Sequence, residues 1–225
     1  HYAIIKTYPD DGYASISTTG FAFLGMGDDW HPIAGMDGMV ALASIYVPLD
    51  GMNEKGLCIS DLIEIDGSTE VPDTDKADLT IVAAIRLVLD YAKDTEEAVK
   101  LLSEYDVFPS VNAAHHLAIS DINNHNVVVE WKNGQMRVTE TDIVTNHCLA
   151  EPLESPMTGE SFRRFAKLTE MHSGFKTLEE GIQALKEASY EEETLWSVTY
   201  HKEKLSSTIY FECQWDEPLS FSIKD

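Results

Sequence analysis

Cysteine is scarce in this chain: the three present, Cys58, Cys148 and Cys213, are widely spaced, odd in number and free of any Cys-x-x-Cys pair. That pattern offers neither a disulfide framework nor a zinc-ribbon spacing, so packed thiols are expected. Positive charge is scarce too, with 16 Lys and Arg against 39 Asp and Glu and a net charge of −23. So acidic a surface repels polyanions, which argues against a nucleic-acid partner, and the excess itself reads as a solvated exterior. No run approaches the roughly 18 apolar residues that span a bilayer, and no leader precedes a cleavage site. No membrane partner is therefore expected, and the protein is read as cytoplasmic, or as exported with its leader already absent.

What is there is enough apolar material for a packed core: 44% of 225 residues are hydrophobic. With no internal repeat and no linker to divide the chain, residues 1–225 are expected to form one domain. Residues 1–24 read as short strands broken by turn signals at Pro9-Asp10-Asp11-Gly12 and Thr18-Thr19-Gly20, and residues 25–38 as a loop. Residues 40–47 are apolar and β-branched, and residues 57–65 alternate. Between them Leu49-Asp50-Gly51-Met52-Asn53-Glu54-Lys55-Gly56 is polar and glycine-bracketed, which predicts a hairpin with Gly51 and Gly56 supplying the turn. After a polar connection at 67–76, Asp78 is the expected cap of a helix with Val82, Ile85, Leu89 and Ala92 on one face. A second helix follows Asp94, with Glu97 at capping-box spacing and Ala98, Leu101, Leu102 and Tyr105 as its stripe.

Strands are expected again at 116–121 and 126–131, then across an Asn133-Gly134 turn at 135–138 and at 143–144. A third helix is predicted over 160–171, stopping near Gly174. A fourth starts at Thr177 with Glu180 as box partner and Leu178, Ile182 and Leu185 inward. Residues 195–201, 208–213 and 219–223 close the chain as strands. Strand blocks separated by paired helices argue for an α+β fold with antiparallel sheets.

The wording Gly51-Met52-Asn53-Glu54-Lys55-Gly56-Leu57 closely resembles the choloylglycine hydrolase, or linear amide C–N hydrolase, family, which includes bile salt hydrolases and penicillin V acylases. The resemblance runs on in order through 121–130, Val144-Thr145-Asn146-His147, Arg163-Arg164-Phe165 and Thr194-Leu195-Trp196-Ser197-Val198. It implies the αββα sandwich of N-terminal nucleophile hydrolases: two antiparallel sheets flanked by helical layers. It also implies acyl transfer from an amide to water by an N-terminal cysteine whose own α-amine is the base. No cofactor is implied.

Four residues match family site positions. Asn146 corresponds to the asparagine whose side chain holds the oxyanion; read from residue type alone, it caps a turn. Ile63 stands where a backbone N–H completes the oxyanion hole, and its apolar side chain replaces the family's hydrogen-bonding one. Arg164 matches the arginine that steadies the thiolate, and helical spacing puts it on the face of Leu168 and Met171 rather than the solvated face of Arg163. Asn53 matches a further position, where its turn context favours a structural role through local hydrogen bonds. His115, His116, His125 and His147 invite a metal reading, but adjacent strand residues point to opposite faces and no carboxylate pattern completes a set, so no metal is expected. His147-Cys148 fails as a replacement nucleophile for a similar reason, since sequence neighbours rarely face each other.

The family's cysteine, with the Arg and Asp that assist it, lies on strands upstream of the segment that aligns with His1, so those N-terminal strands are expected to be absent from residues 1–225. The expected partners are therefore a small-molecule acyl amide, an N-terminal chain carrying the Cys nucleophile, and a second copy of this chain pairing through an open sheet edge. Conjugated bile acids, penicillin V and N-acyl amino acids or lactones all suit the family, with loops 25–38 and 66–77 choosing among them. A catalytically inactive acyl-ligand-binding module, or a truncated fragment of such an enzyme, is the alternative.

Overall fold

A computed structural model describes residues 2–27, 30, 36–65, 72–110, 113–150, 159–172, 177–190 and 193–224. The chain opens with an antiparallel pair, β1 (Tyr2–Thr7) and β2 (Ser15–Gly20), around the predicted turn at Pro9–Gly12. Thr18, Thr19 and Gly20 are strand, not turn: every residue of β2 is buried, and Thr19 Oγ1 donates to the Val47 carbonyl at 2.7 Å. The chain turns instead through a 3-10 helix at Phe21–Leu24. Half of the loop expected at 25–38 lies outside the described residues, and 36–38 are helical rather than loop.

The run at 40–47 is not a strand. It forms α1 (Met36–Ala43) and a 3-10 turn at Ser44–Tyr46, where the Ser44 hydroxyl donates to the Ala41 carbonyl. The hairpin exists, but its first arm is the short β3 (Asp50–Asn53), which pairs with β2 on one side and β4 (Cys58–Glu64) on the other. With β1 and β3 on its two sides, β2 has no edge left for 40–47, and Ala41, Leu42 and Ala43 are good helix formers. Gly56 makes the turn, with a φ of +78°, whereas Gly51 lies within β3. A Cβ there would come within 2.9 Å of the Ile16 carbonyl and 2.8 Å of Leu89, so Gly51 is a close-approach residue.

Next comes a crossover. β5 (Ala77–Thr80) leads into α2 (Ile81–Tyr91) and α3 (Thr95–Leu102), and β6 (Tyr105–Phe108) returns parallel to β5. Asp78 is therefore a strand residue, and Thr80 caps α2, its hydroxyl accepting from Ala83 N–H. Tyr105 likewise leaves the helical stripe for β6, while Asp94 caps α3 as expected and Glu97 reaches back to the amide of Lys93. β7 (Ala114–Ser120), β8 (Asn126–Lys132) and β9 (Gln135–Glu140) then extend the large sheet to the order β1-β2-β3-β4-β7-β8-β9. The strand expected at 143–144 is irregular backbone held by Thr141 and by a hydrogen bond from the Ile65 N–H to the Asn146 carbonyl. After α4 (Glu160–His172) and α5 (Leu178–Ala188) come β10 (Trp196–His201), β11 (Ser206–Phe211) and β12 (Leu219–Ser222), a separate antiparallel sheet. The Thr177–Glu180 capping box is present, but Leu178 is exposed, and Ala184 is the buried residue of α5.

Alternation along the central strands separates two environments. Ile59, Leu117, Ile119, Val127, Val129 and Trp131 turn to one side, where Ile85, Val88 and Leu89 of α2 and Ala98 and Leu102 of α3 cover them in a dry core. The opposite face meets the smaller sheet around Ile16, Met52 and Ile223, and elsewhere it mixes Leu62, Ala118 and Val128 with Ser60, His116 and Glu130. Among the described residues no helix is long and apolar enough to cross a membrane.

Asn53 links these parts. Fully buried, it donates to the carbonyls of Leu89 (3.1 Å) and Ala92 (2.7 Å) at the end of α2, and its oxygen accepts from the amides of Lys55 and Leu57 in the turn. Every hydrogen-bonding atom of its side chain is thus used within the fold. Asn53→Ala is expected to destabilise the protein by about 2–4 kcal/mol, because buried partners are left unsatisfied. Urea denaturation checks this, and a change below about 0.5 kcal/mol would remove Asn53 from the framework.

Candidate active site

A cleft of about 800 Å³ opens beside β4 and β7 of the large sheet, bounded across the gap by β10 and the C-terminal end of α5. Its apolar wall includes Leu49, Leu62, Val144, Leu185, Trp196 and Val198, and Asp50, Asp61, His115, Asn146 and Arg164 supply polar groups. The size suits a drug-sized ligand, and an apolar lining with a few convergent polar groups is the usual make-up of such a site.

Asn146 is the junction of the polar wall. Its Nδ2 donates to the Ile63 carbonyl at 2.8 Å, its Oδ1 accepts from Arg164 at 2.8 Å, and its own carbonyl accepts from the amide of Ile65 at 2.8 Å. The guanidinium, a donor only, fixes which end of the amide is oxygen. It also draws electron density from that oxygen, which makes the Nδ2 hydrogens stronger donors. One of those hydrogens is used on Ile63. Arg164 projects from the half-buried side of α4, as its spacing predicted, and lies 5.2 Å from the Tyr190 ring centroid. Its Nε is buried without a partner.

Three of the four residues singled out from sequence, Asn146, Arg164 and Ile63, thus meet at one point of the cleft, although β4, the 141–150 segment and α4 are far apart in the chain. The group of Ile63 that touches Asn146 is its carbonyl, and its side chain is 43% exposed. Asn53 stands apart in the framework. The histidines do not assemble. His115 and His116 point to opposite faces, and His147 bonds the Thr145 and Ser161 hydroxyls while stacking on Phe162.

Sequence reasoning missed a clamp across the cleft. Buried Asp50 accepts hydrogen bonds from Trp196 Nε1 (2.7 Å) and the Tyr200 hydroxyl, tying β3 to β10. Burial raises the Asp50 carboxyl above its ordinary pKa despite these donors, and Tyr200 is raised by burial and by the Asp50 charge. Nearby Cys58 is pushed up to about 12, chiefly by burial. The only advance signal of the clamp was an acid amid apolar neighbours, with its partners about 150 residues away.

The second missed pair is Asp61 with His115. Side chains 6% and 5% exposed face each other diagonally across β4 and β7, Nδ1 lying 3.0 Å from both Asp61 oxygens and Nε2 3.0 Å from the Ser110 carbonyl. Acceptors at both ring nitrogens require two N–H groups, the imidazolium form. Burial opposes that charge, but the hydrogen bond and charge of Asp61, with the Ser110 carbonyl, outweigh it and raise the His115 pKa. The stabilisation is then fully present below the unfolded histidine value of about 6.5 and is lost as pH climbs through the higher folded value. As pH rises from about 6.5 the wild type should lose stability that His115→Asn does not, read as urea midpoints. Parallel pH curves for the two proteins would refute the pairing.

The family profile described as acyl-coenzyme A:6-aminopenicillanic acid acyl-transferase matches residues 13–216. A conjugated bile acid hydrolase variant from Clostridium perfringens superposes with a TM-score of 0.60 at 17% identity, covering 94% of this chain and 77% of that one. Penicillin V acylase from Agrobacterium tumefaciens superposes with a TM-score of 0.59 at 19% identity, covering 88% of this chain and 66% of that one. No curated protein sequence matches. The likenesses in structure establish a shared α+β fold of antiparallel sheets, and the profile, running through the hairpin, Asn146, Arg164 and the Trp196 strand, shows that this chain belongs to the acyl-coenzyme A:6-aminopenicillanic acid acyl-transferase family.

Proposed function

We propose that this protein hydrolyses linear amide C–N bonds of small N-acyl compounds, residues 1–225 supplying the acyl cleft and the oxyanion donors while a cysteine outside them supplies the thiol. The observation that carries the reading is the convergence of Asn146, Arg164 and Ile63 on the wall of an apolar-lined cleft. Attack of a thiolate on the amide carbonyl places negative charge on its oxygen. Asn146 Nδ2, polarised through its bond to Arg164, and the Ile63 backbone N–H are the donors assigned to that charge. The tetrahedral intermediate collapses as the amine leaves with a proton, and water then releases the acid from the thioester.

Cys58 and Cys148 are poor candidates for the nucleophile. Cys58 is held up to about 12 and Cys148 up to about 11, each mainly by burial, so neither carries thiolate near neutrality. The same observation favours a second reading, a binding module that keeps the acyl cleft without the chemistry. Ile63 cannot hydrogen-bond a substrate through its side chain, so the acyl group is read as held by apolar contact. Penicillin V, conjugated bile acids and N-acyl amino acids are the classes to assay. The thiol-bearing segment, or a second copy, is expected at a free strand edge: among the described strands β1, β5, β6, β9, β10 and β12 each have a neighbour on one side only.

The test uses protein purified with every chain that accompanies it, identified by intact mass and N-terminal sequencing. Asn146→Ala should lower kcat by about 10²–10³-fold with little change in KM. Turnover indifferent to Asn146→Ala would refute the assignment, and ligand binding without turnover in the complete gene product would favour the binding module.

A further inference from the structure

The face of the large sheet away from the dry core ends in a buried cluster that the acyl site does not use. Glu64 closes β4, Glu130 lies on β8 and Cys148 follows Asn146 in the irregular segment. One ligand-capable atom from each lies within 4.8 Å of the others, and Glu64 and Glu130 are 4% and 1% exposed. Glu130 is held firmly through one oxygen: Oε1 accepts from Leu149 N–H at 2.8 Å and lies 3.0 Å from His116 Nδ1. Its other oxygen, Oε2, is buried without a hydrogen-bond partner, and so is Glu64 Oε1. Carboxylates that coordinate metals are commonly fixed this way, one oxygen hydrogen-bonded and the other presented.

Two buried carboxyls so close cannot both ionise without a counter-charge. Burial and the Glu130 charge raise Glu64, against the weaker pull of Cys148, His116 and Lys132. Burial and the two carboxylates push Cys148 up to about 11. A cation with affinity for both sulfur and oxygen would supply that counter-charge.

We propose that Glu64, Glu130 and Cys148 form a binding site for a zinc-class divalent cation, with water or a ligand atom as the fourth partner. Zinc at ~2.0 Å from oxygen and ~2.3 Å from sulfur places tetrahedral ligands roughly 3.5 Å apart, so closure about the ion needs shifts of about 1 Å. The thiolate is too soft a ligand for calcium or magnesium, and three protein ligands are too few for calcium. The ion would join the end of β4, the middle of β8 and the segment that carries Asn146. That braces the candidate oxyanion wall from behind, yet the site stands on its own residues whatever reaction the cleft performs.

The full chain, stripped with a chelator, is titrated with Zn²⁺ against a chromogenic competitor and with Co²⁺ followed by absorption. The expected result is one equivalent bound, with a near-ultraviolet thiolate-to-Co²⁺ band and affinity that rises with pH as protons are released. Cys148→Ser should abolish the band. Cys148→Ser and Glu64→Gln should each weaken Zn²⁺ binding by about tenfold or more, while Cys213→Ser changes neither readout. Circular dichroism checks that each variant is folded, and Glu64→Gln keeps the shape of a protonated carboxyl, so it decides the matter if Cys148→Ser does not fold. Absence of the band in folded wild type, its survival in Cys148→Ser, or equal Zn²⁺ affinity in wild type and Glu64→Gln overturns the proposal; the last marks diffuse binding to an acidic surface.

Discussion

The pleat of β4 is the constraint on which the rest depends. Successive residues must face opposite sides, so Leu57 and Ile59 enter the dry core beneath α2 and α3 while Ser60, Leu62 and Glu64 face the gap toward the smaller sheet. The central position of β4, between β3 and β7, transmits that alternation to its neighbours. A slip of one residue would exchange the two faces and turn Leu57 and Ile59 out of the core, which fixes the register firmly. The Asp61–His115 pair shows how the rule bends near the end of the strand. There a charged diagonal occupies the helix-side face, where the apolar cover gives way to the cleft.

The side toward the smaller sheet is held by hydrogen bonds between distant parts of the chain as well as by apolar contact. Asp50 ties β3 to β10, Lys202 reaches the Asp121 carbonyl from the turn after β10, and Asn146 ties α4 to β4. Inside a low-dielectric gap such bonds are directional and costly to leave unmade, so they set the spacing of the sheets and with it the shape of the cleft. The site and the framework are therefore built from the same interactions. Arg164 orients the Asn146 amide through its oxygen, Ile63 through its nitrogen, and neither partner is near Asn146 in sequence.

Some of this was legible without coordinates. The 3.6-residue periodicity of 82–92 and 178–188, the Asn133-Gly134 turn and the polar hairpin around Gly56 each report a local rule, and each element is present. The run at 40–47 was misread because apolar, β-branched composition suits a strand only where an edge is open, and β1 and β3 fill both sides of β2. Asp78 was misread as a cap because the parallel partner that makes 77–80 a strand, 105–108, arrives only after two helices.

The sequence by itself determined the class of fold, the acidic surface, the family, and Asn146, Ile63 and Arg164 as residues of interest, because these follow from composition, local periodicity and ordered motifs. Tertiary structure alone decided that those three residues touch, that Asn53 spends all its hydrogen bonds on α2 and the turn, and that Asp50, Asp61 and Glu64 face Trp196, His115 and Glu130 with Cys148. The physical reason is separation along the chain. A side chain's partner across a sheet or between two sheets is set by register and packing, and neither is written within the reach of a local pattern.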